Sequence, residues 1–128
     1  MADDDPDQLA AYKTLLQAFG HEVVVAACPS EALRQLEPSA PGLVIMDLRF
    51  PNAAGRPDPR EGMALIRGIR QAGCRSPVVV LSGWPDDLYG EPEEEMVSRI
   101  VVKPVEIPVL LGIIEELTAI SALSRSLP

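Results

Sequence analysis

The 128-residue sequence has little histidine, cysteine or basic charge: one His, two Cys and 11 Lys plus Arg against 19 Asp plus Glu. With His21 alone, a multi-histidine metal centre is excluded, as is a Ser-His-Asp triad built on any other residue; His21 itself falls in a turn-like stretch. Cys28 and Cys74 form no C-x-x-C pair and are expected to be reduced, mostly buried thiols. No apolar run approaches the roughly 20 residues that span a bilayer, and the acidic start has none of the basic and apolar regions of a signal peptide. A soluble, cytoplasmic chain without a membrane partner is expected. The net charge of −8 argues against direct nucleic-acid binding, which needs clustered Lys and Arg, and favours basic or apolar partner surfaces.

What is present alternates between helical and strand-like segments. Asp5 can cap a helix with Pro6 at its first position and Gln8 three residues after the cap, as in a capping box. Leu9, Tyr12, Leu15, Leu16 and Phe19 recur at helical spacing, and Gly20 supplies a stop. Val23-Val24-Val25 is a β-branched run expected to form a strand over Glu22–Ala27. A second helix opens at Pro29, and Leu43-Val44-Ile45-Met46 forms a strand that ends at Asp47. A proline-rich loop follows from Pro51 to Arg60, then a helix marked by Met63, Ile66 and Ile69 and closed by Gly73. Val78–Leu81 is a strand ending at Ser82-Gly83. The acidic stretch from Trp84 to Ser98 leaves room for one short helix near Glu93–Val97. Ile100–Val102 is a strand ending at Lys103-Pro104, and Val109, Leu110, Ile113, Ile114 and Leu117 make an amphipathic last helix. Apolar strands separated by helices imply a doubly wound parallel sheet, covered on both faces. One domain over residues 1–120 is expected, with 121–128 as a tail or linker stub.

In such sheets ligands bind outside the carboxyl ends of the strands, where this sequence places Asp47, Ser82 and Lys103. A strand-terminal aspartate can attack phosphorus and form an acyl phosphate. The charged transition state needs positioning and charge neutralisation. Lys103 offers a point charge, Ser82 a hydroxyl, and the backbone amides near Leu48 and Gly83 further donors. Asp3 and Asp4 can join Asp47 as oxygen ligands of a hard divalent cation. Singly, each residue has a plainer use: a cap, a turn, a loop or a solvated terminus. Their joint placement at three strand ends is what points to phosphoryl transfer.

These motifs resemble the receiver domain of bacterial two-component response regulators. Val44-Ile45-Met46-Asp47-Leu48-Arg49-Phe50-Pro51 is similar to the phosphoacceptor motif, Val80-Leu81-Ser82-Gly83 to the hydroxyl-bearing strand end, and Val101-Val102-Lys103-Pro104 to the lysine–proline signature. Asp3-Asp4 matches the acidic pair, and Glu61-Gly62 the acidic-Gly pair opening the third helix. The resemblance implies a flavodoxin-like α/β fold with strand order 2-1-3-4-5 and a cis Lys103-Pro104 bond. It also implies Mg2+ held by Asp3, Asp4, Asp47 and the Arg49 backbone carbonyl. The implied role is a signalling module rather than an enzyme, phosphorylated on Asp47 by a histidine kinase or phosphotransfer protein and acting on an unspecified output.

The sequence departs from that pattern in three places. Only Met1-Ala2 stand where the family has its first strand, so that strand is expected to be absent, with an oligomer or a strand rearrangement covering the gap. Several extra residues lie between Pro51 and Glu61. Ile100 stands where an aromatic residue is usual, three before Lys103. Two alternatives stay open: a degenerate receiver acting as a phosphorylation-independent dimerisation or docking module, and a haloacid-dehalogenase-like phosphatase. The latter needs an acid two residues after its nucleophile, where Arg49 stands.

Overall fold

The computed structural model describes residues 1–20, 26–37 and 41–126, with 119–126 described as backbone only. Helix α1 (Pro6–Ala18) begins where Asp5 Oδ1 accepts the amides of Asp7 and Gln8. Proline at the first helical position costs nothing there, because that amide would be unpaired in any case. Helix α2 (Pro29–Arg34) is a single short stretch, followed by β1 (Val44–Met46). The expected proline-rich loop is more ordered than its composition suggests. Phe50–Pro51 (β2) pairs antiparallel with Pro57–Asp58 (β3), and Asn52 closes the turn by accepting the amides of Ala54 and Arg56. Helix α3 (Pro59–Gln71), strand β4 (Val78–Ser82), two 3-10 turns (Pro85–Asp87 and Pro92–Met96), strand β5 (Arg99–Val102) and helix α4 (Ile107–Ser126) complete the chain.

Strands β1, β4 and β5 form a parallel sheet in the order β1-β4-β5. Beyond β1 the sheet continues through isolated parallel bridges: Ala2 pairs with Met46 on one side and with Ala26 on the other. The position of the expected missing strand is therefore held by residue 2. Ala2 N–H donates to Ile45 O and Asp47 N–H to Ala2 O, both at 2.8 Å. Asp3 N–H donates to Ala26 O at 3.1 Å, and Ala26 N–H to Met1 O at 2.9 Å. At this level both edges that motivated the oligomer or rearrangement are paired within the chain. The strand expected over Glu22–Ala27 lies, apart from Ala26 and Ala27, outside the described residues, as does His21.

The alternation of strand side chains sends Ile45, Val79 and Leu81 to one face, where they pack with Tyr12 and Leu16 of α1 and Leu110, Ile114 and Leu117 of α4. Val78, Val80 and Met46 face the other way, onto Met63, Leu65, Ile66 and Ile69 of α3, with Leu33 and Leu36 from the α2 segment. Strand β4 is buried along its whole length, as a central strand with helices on both sides must be. Strand β5 is only half-buried, and Val102 is exposed at the sheet's edge.

Two further expectations need correction, on Cys28 and on the helix near Glu93–Val97. Cys28 is exposed at the start of α2, because the position before Pro29 lies on the rim rather than in the core; Cys74 alone is buried. Glu93 belongs to the acidic stretch yet is buried, because the 3-10 turn packs on α3 and Arg67 meets its carboxylate there. The helix expected near Glu93–Val97 is a 3-10 turn over Pro92–Met96. The backbone of α4 stays helical through Ser121–Ser126, so no break in secondary structure marks residue 120. Among the described residues no helix is long and apolar enough to cross a membrane.

Candidate functional site

The carboxyl ends of the sheet bring together residues far apart in sequence. Asp47 follows β1, whose ladder to β4 fixes Met46 opposite Val80. Asp3 follows the bridging Ala2 and is buried, whereas Asp4 is exposed and Asp47 partly buried. One carboxylate oxygen from each of the three lies within 4.8 Å of the others. Lys103 follows β5 and a cis bond links it to Pro104. Its ammonium reaches Asp3 Oδ2 at 3.2 Å and Asp47 Oδ2 at 3.4 Å. Leu48 N–H donates to Asp47 Oδ1 at 2.7 Å, which sets the carboxylate plane with Oδ2 toward Lys103.

Burial pushes the Asp47 carboxyl above its usual range, and the negative charge of Asp3 adds to this; Lys103 and the Leu48 amide oppose it without cancelling it. For Lys103, burial alone pulls the ammonium down, but the charges of Asp47 and Asp3 and its hydrogen bonds to both outweigh that and raise it. The two shifts have different causes: burial chiefly lifts the Asp47 carboxyl, whereas the neighbouring carboxylates lift the Lys103 ammonium against its burial. Three carboxylates around one lysine leave the centre short of positive charge. Their hard oxygen donors, one of them buried, suit a divalent cation such as Mg2+ or Ca2+.

Ser82 ends β4 fully buried, and its Oγ accepts the Trp84 amide at 3.0 Å. Arg49, two residues past Asp47, points across the rim. Its guanidinium donates to Asp87 at 2.7 and 3.1 Å and lies 3.9 Å from the centroid of the Trp84 ring. The position where a haloacid dehalogenase would need an acid is thus filled by a committed cation. The hairpin ends with Asp58 capping α3, and Gly62 packs on the segment after Asp47: a Cβ there would lie 2.3 Å from Leu48 O. A side chain is excluded at that contact.

Residues 1–115 match the response regulator receiver domain family. The chain belongs to that family. The receiver shares 32% identity over 84 residues with the transcriptional regulatory protein KdpE of Mycobacterium tuberculosis, an alignment covering 66% of this chain and 34% of the relative. The chain thus spans about a third of the length of the curated relative it matches. A response regulator receiver domain protein from Clostridium thermocellum superposes with a TM-score of 0.78 at 26% identity, covering 95% of this chain and 94% of that one. The Thermotoga maritima response regulator TrrA, solved in complex with Mg2+-BeF, gives a TM-score of 0.75 at 22% identity over 91% of this chain and 94% of its own. The flavodoxin-like α/β fold expected from the motifs is the fold of these neighbours, and the domain is a signalling module of two-component systems.

Asp3, Asp4, Asp47 and Lys103 are therefore gathered as the sequence suggested, and Ser82 stands at the adjoining strand end. Two contacts were not legible. Asp87 is one acid in an acidic run, and nothing local distinguishes it as the partner of Arg49. Gln8 occupies the capping-box position, but its side chain turns away from the cap. Asp3 Oδ1 takes the Asp5 amide instead, at 3.0 Å, and Gln8 Oε1 accepts from Lys103 Nζ at 3.3 Å. Knowing that Asp3 satisfies the cap would have released Gln8 for another role.

Proposed function

We propose that this receiver takes a phosphoryl group onto Asp47 from a sensor histidine kinase or a phosphotransfer protein, and passes the signal to an output domain or protein. The observation that carries this reading is the convergence of Asp3, Asp4, Asp47 and Lys103, with carboxylate oxygens within 4.8 Å of one another and the ammonium against two of them. A carboxylate oxygen of Asp47 forms a bond to phosphorus as the donor's P–N bond breaks and the histidine nitrogen leaves. Lys103 neutralises charge on the transferred group. The Ser82 hydroxyl, whose oxygen accepts the Trp84 amide, keeps its own O–H to donate to a phosphoryl oxygen, and the Leu48 and Gly83 amides serve others. Asp3, Asp4, Asp47 and the backbone carbonyl of Arg49 would hold Mg2+, which supplies charge neutralisation at the phosphoryl oxygens when bound. The TrrA complex with Mg2+-BeF supports this by likeness of fold.

Incubation with acetyl phosphate and Mg2+ tests it. Intact mass should show one added phosphoryl group, and Asp47→Asn should abolish it. Labelling that survives Asp47→Asn sinks the choice of acceptor. No labelling of the wild type favours the alternative of a phosphorylation-independent docking module, a reading drawn from the single residue, Ala2, that bridges β1 to Ala26.

A further inference from the structure

The lysine of the site has a third partner outside the acidic centre, and it arises from how α1 starts. In a capping box the third helical residue reaches back to the amide of the cap. Here the cap is Asp5, and its amide is already taken by Asp3 Oδ1 at 3.0 Å. Asp5 Oδ1 in turn accepts the amides of Asp7 at 3.0 Å and Gln8 at 3.2 Å, which fixes the first turn of the helix. The Gln8 side chain is left over, and its Oε1 lies 3.3 Å from Lys103 Nζ. A closed ring results: Asp3 to Asp5, Asp5 to Gln8, Gln8 to Lys103, and Lys103 back to Asp3 Oδ2 at 3.2 Å.

An ammonium has three N–H donors, and Lys103 meets three acceptors: Asp3, Asp47 and Gln8. Two of them are committed elsewhere when the site works, Asp3 to the cation and Asp47 to phosphorus. Only the Gln8 carbonyl is neutral and outside the reacting groups. It can hold Lys103 equally well whether the carboxylates are free, coordinated or esterified. A glutamate there would add a fourth carboxylate and pin the lysine by charge, whereas a glutamine orients it without competing strongly with the phosphoryl oxygens.

We propose that Gln8 is a positioning residue for Lys103, keeping the ammonium at the phosphoacceptor centre after Asp3 and Asp47 have turned to other partners. The inference rests on Asp47 being the acceptor. A plainer account makes Gln8 a half-exposed helix residue whose contact with Lys103 has no bearing on transfer.

The test uses the full chain with Gln8→Leu, Gln8→Glu, Lys103→Ala and the Gln8→Leu/Lys103→Ala double variant. With acetyl phosphate and Mg2+, Gln8→Leu should slow phosphorylation of Asp47 about tenfold to a hundredfold, the size expected for one hydrogen bond to a charged group. In the Lys103→Ala background it should cost nothing further, because the group it positions is gone. Thermal melting without metal or donor gives a second readout. Gln8→Leu should lower the midpoint in the wild type but not in Lys103→Ala, and Gln8→Glu, which pins the lysine by charge, should leave the midpoint no lower than wild type while slowing transfer. Equal effects of Gln8→Leu in both backgrounds overturn the inference. Wild-type transfer matched by undiminished transfer in Gln8→Leu overturns this role while leaving the proposed function standing. A wild type that takes no phosphoryl group ends the proposed function and this role with it.

Discussion

Asp47 and Asp3 bring carboxylates to one centre, yet the chain holds them by different means. Asp47 extends a strand whose neighbour β4 is buried along its length, and the loop after it is pressed against α3 at Gly62. Asp3 extends one bridging residue, Ala2, has one backbone bond of its own, to Ala26 O, and depends on side-chain bonds to Asp5 and Lys103 for the rest of its placement. A backbone ladder has its entropy cost met by the folding of the whole sheet. A ring of side chains must hold each rotamer separately. The phosphoacceptor side is therefore expected to be stiff and sensitive to packing, and the acidic-pair side adaptable and sensitive to single hydrogen bonds.

The largest effect expected is on the stiff side. Gly62→Ala puts a methyl group 2.3 Å from Leu48 O, a backbone atom that cannot step aside, and should destabilise the domain by about 3 kcal/mol. Urea unfolding measures it, and a loss no larger than that of an ordinary helix substitution would show the segment after Asp47 to be softer than its contacts imply. On the adaptable side, Asp5→Ala removes the cap of α1 and should cost about 1 kcal/mol. The same change should weaken Mg2+ binding while leaving the β1–β4 ladder intact, as amide exchange would report. Exchange that rises equally in β1 and at Ala2 would erase the contrast between the two sides.

Burial and charge sharpen the comparison through pH. The Asp47 carboxyl is raised above its ordinary value of 3.8, so its ionisation opposes folding. The opposition is absent below the ordinary value, grows as pH rises through the folded one, and is complete above it. In metal-free buffer Asp47→Asn should therefore melt higher than wild type at neutral pH, by a few degrees at most, and the advantage should vanish in acid. Glu93 has the opposite sign: its bond to Arg67, chiefly, holds its carboxyl below the usual range. Its stabilising contribution is present at neutral pH and is lost as pH falls through the folded value. A Glu93→Gln variant whose deficit at neutral pH persists undiminished in acid would contradict that reading.

The smallest effect concerns the rim. Arg49 is tied to Asp87 and stacked on Trp84 beside the approach to Asp47. Arg49→Ala combined with Trp84→Ala should shorten the phosphorylated lifetime about twofold to fivefold, in keeping with a partly exposed cation–π contact. A lifetime unchanged or longer would reduce both side chains to surface cover.

The strand ends were legible in the sequence because each apolar run stops abruptly at a polar residue, and parallel sheets place ligands there. The helices were legible for a similar reason, since Leu9, Tyr12 and Leu16, or Met63, Ile66 and Ile69, repeat at one helical face. The β2–β3 hairpin was not, because Pro51, Pro57 and Pro59 hide any alternation, and two-residue strands are too short to show a period. Glu93, Glu94 and Glu95 look alike in sequence; only the packing of the 3-10 turn on α3 buries the first of them. Ala2 carries no strand signal by itself. Its bridges are imposed by what stands on either side, Ala26 and Met46, which is tertiary context that no local pattern contains.

Trp84 is the only tryptophan in the chain, and it is more than half exposed while lying against a guanidinium. Its amide is bonded to the Ser82 hydroxyl, and its ring to the cation that Asp87 restrains. Indole emission depends on the charge and water around the ring, so whatever loosens Ser82 or Arg49 changes the light the protein gives off. The domain carries its own optical gauge at the mouth of the site, readable in a cuvette with no label attached and no background from a second tryptophan.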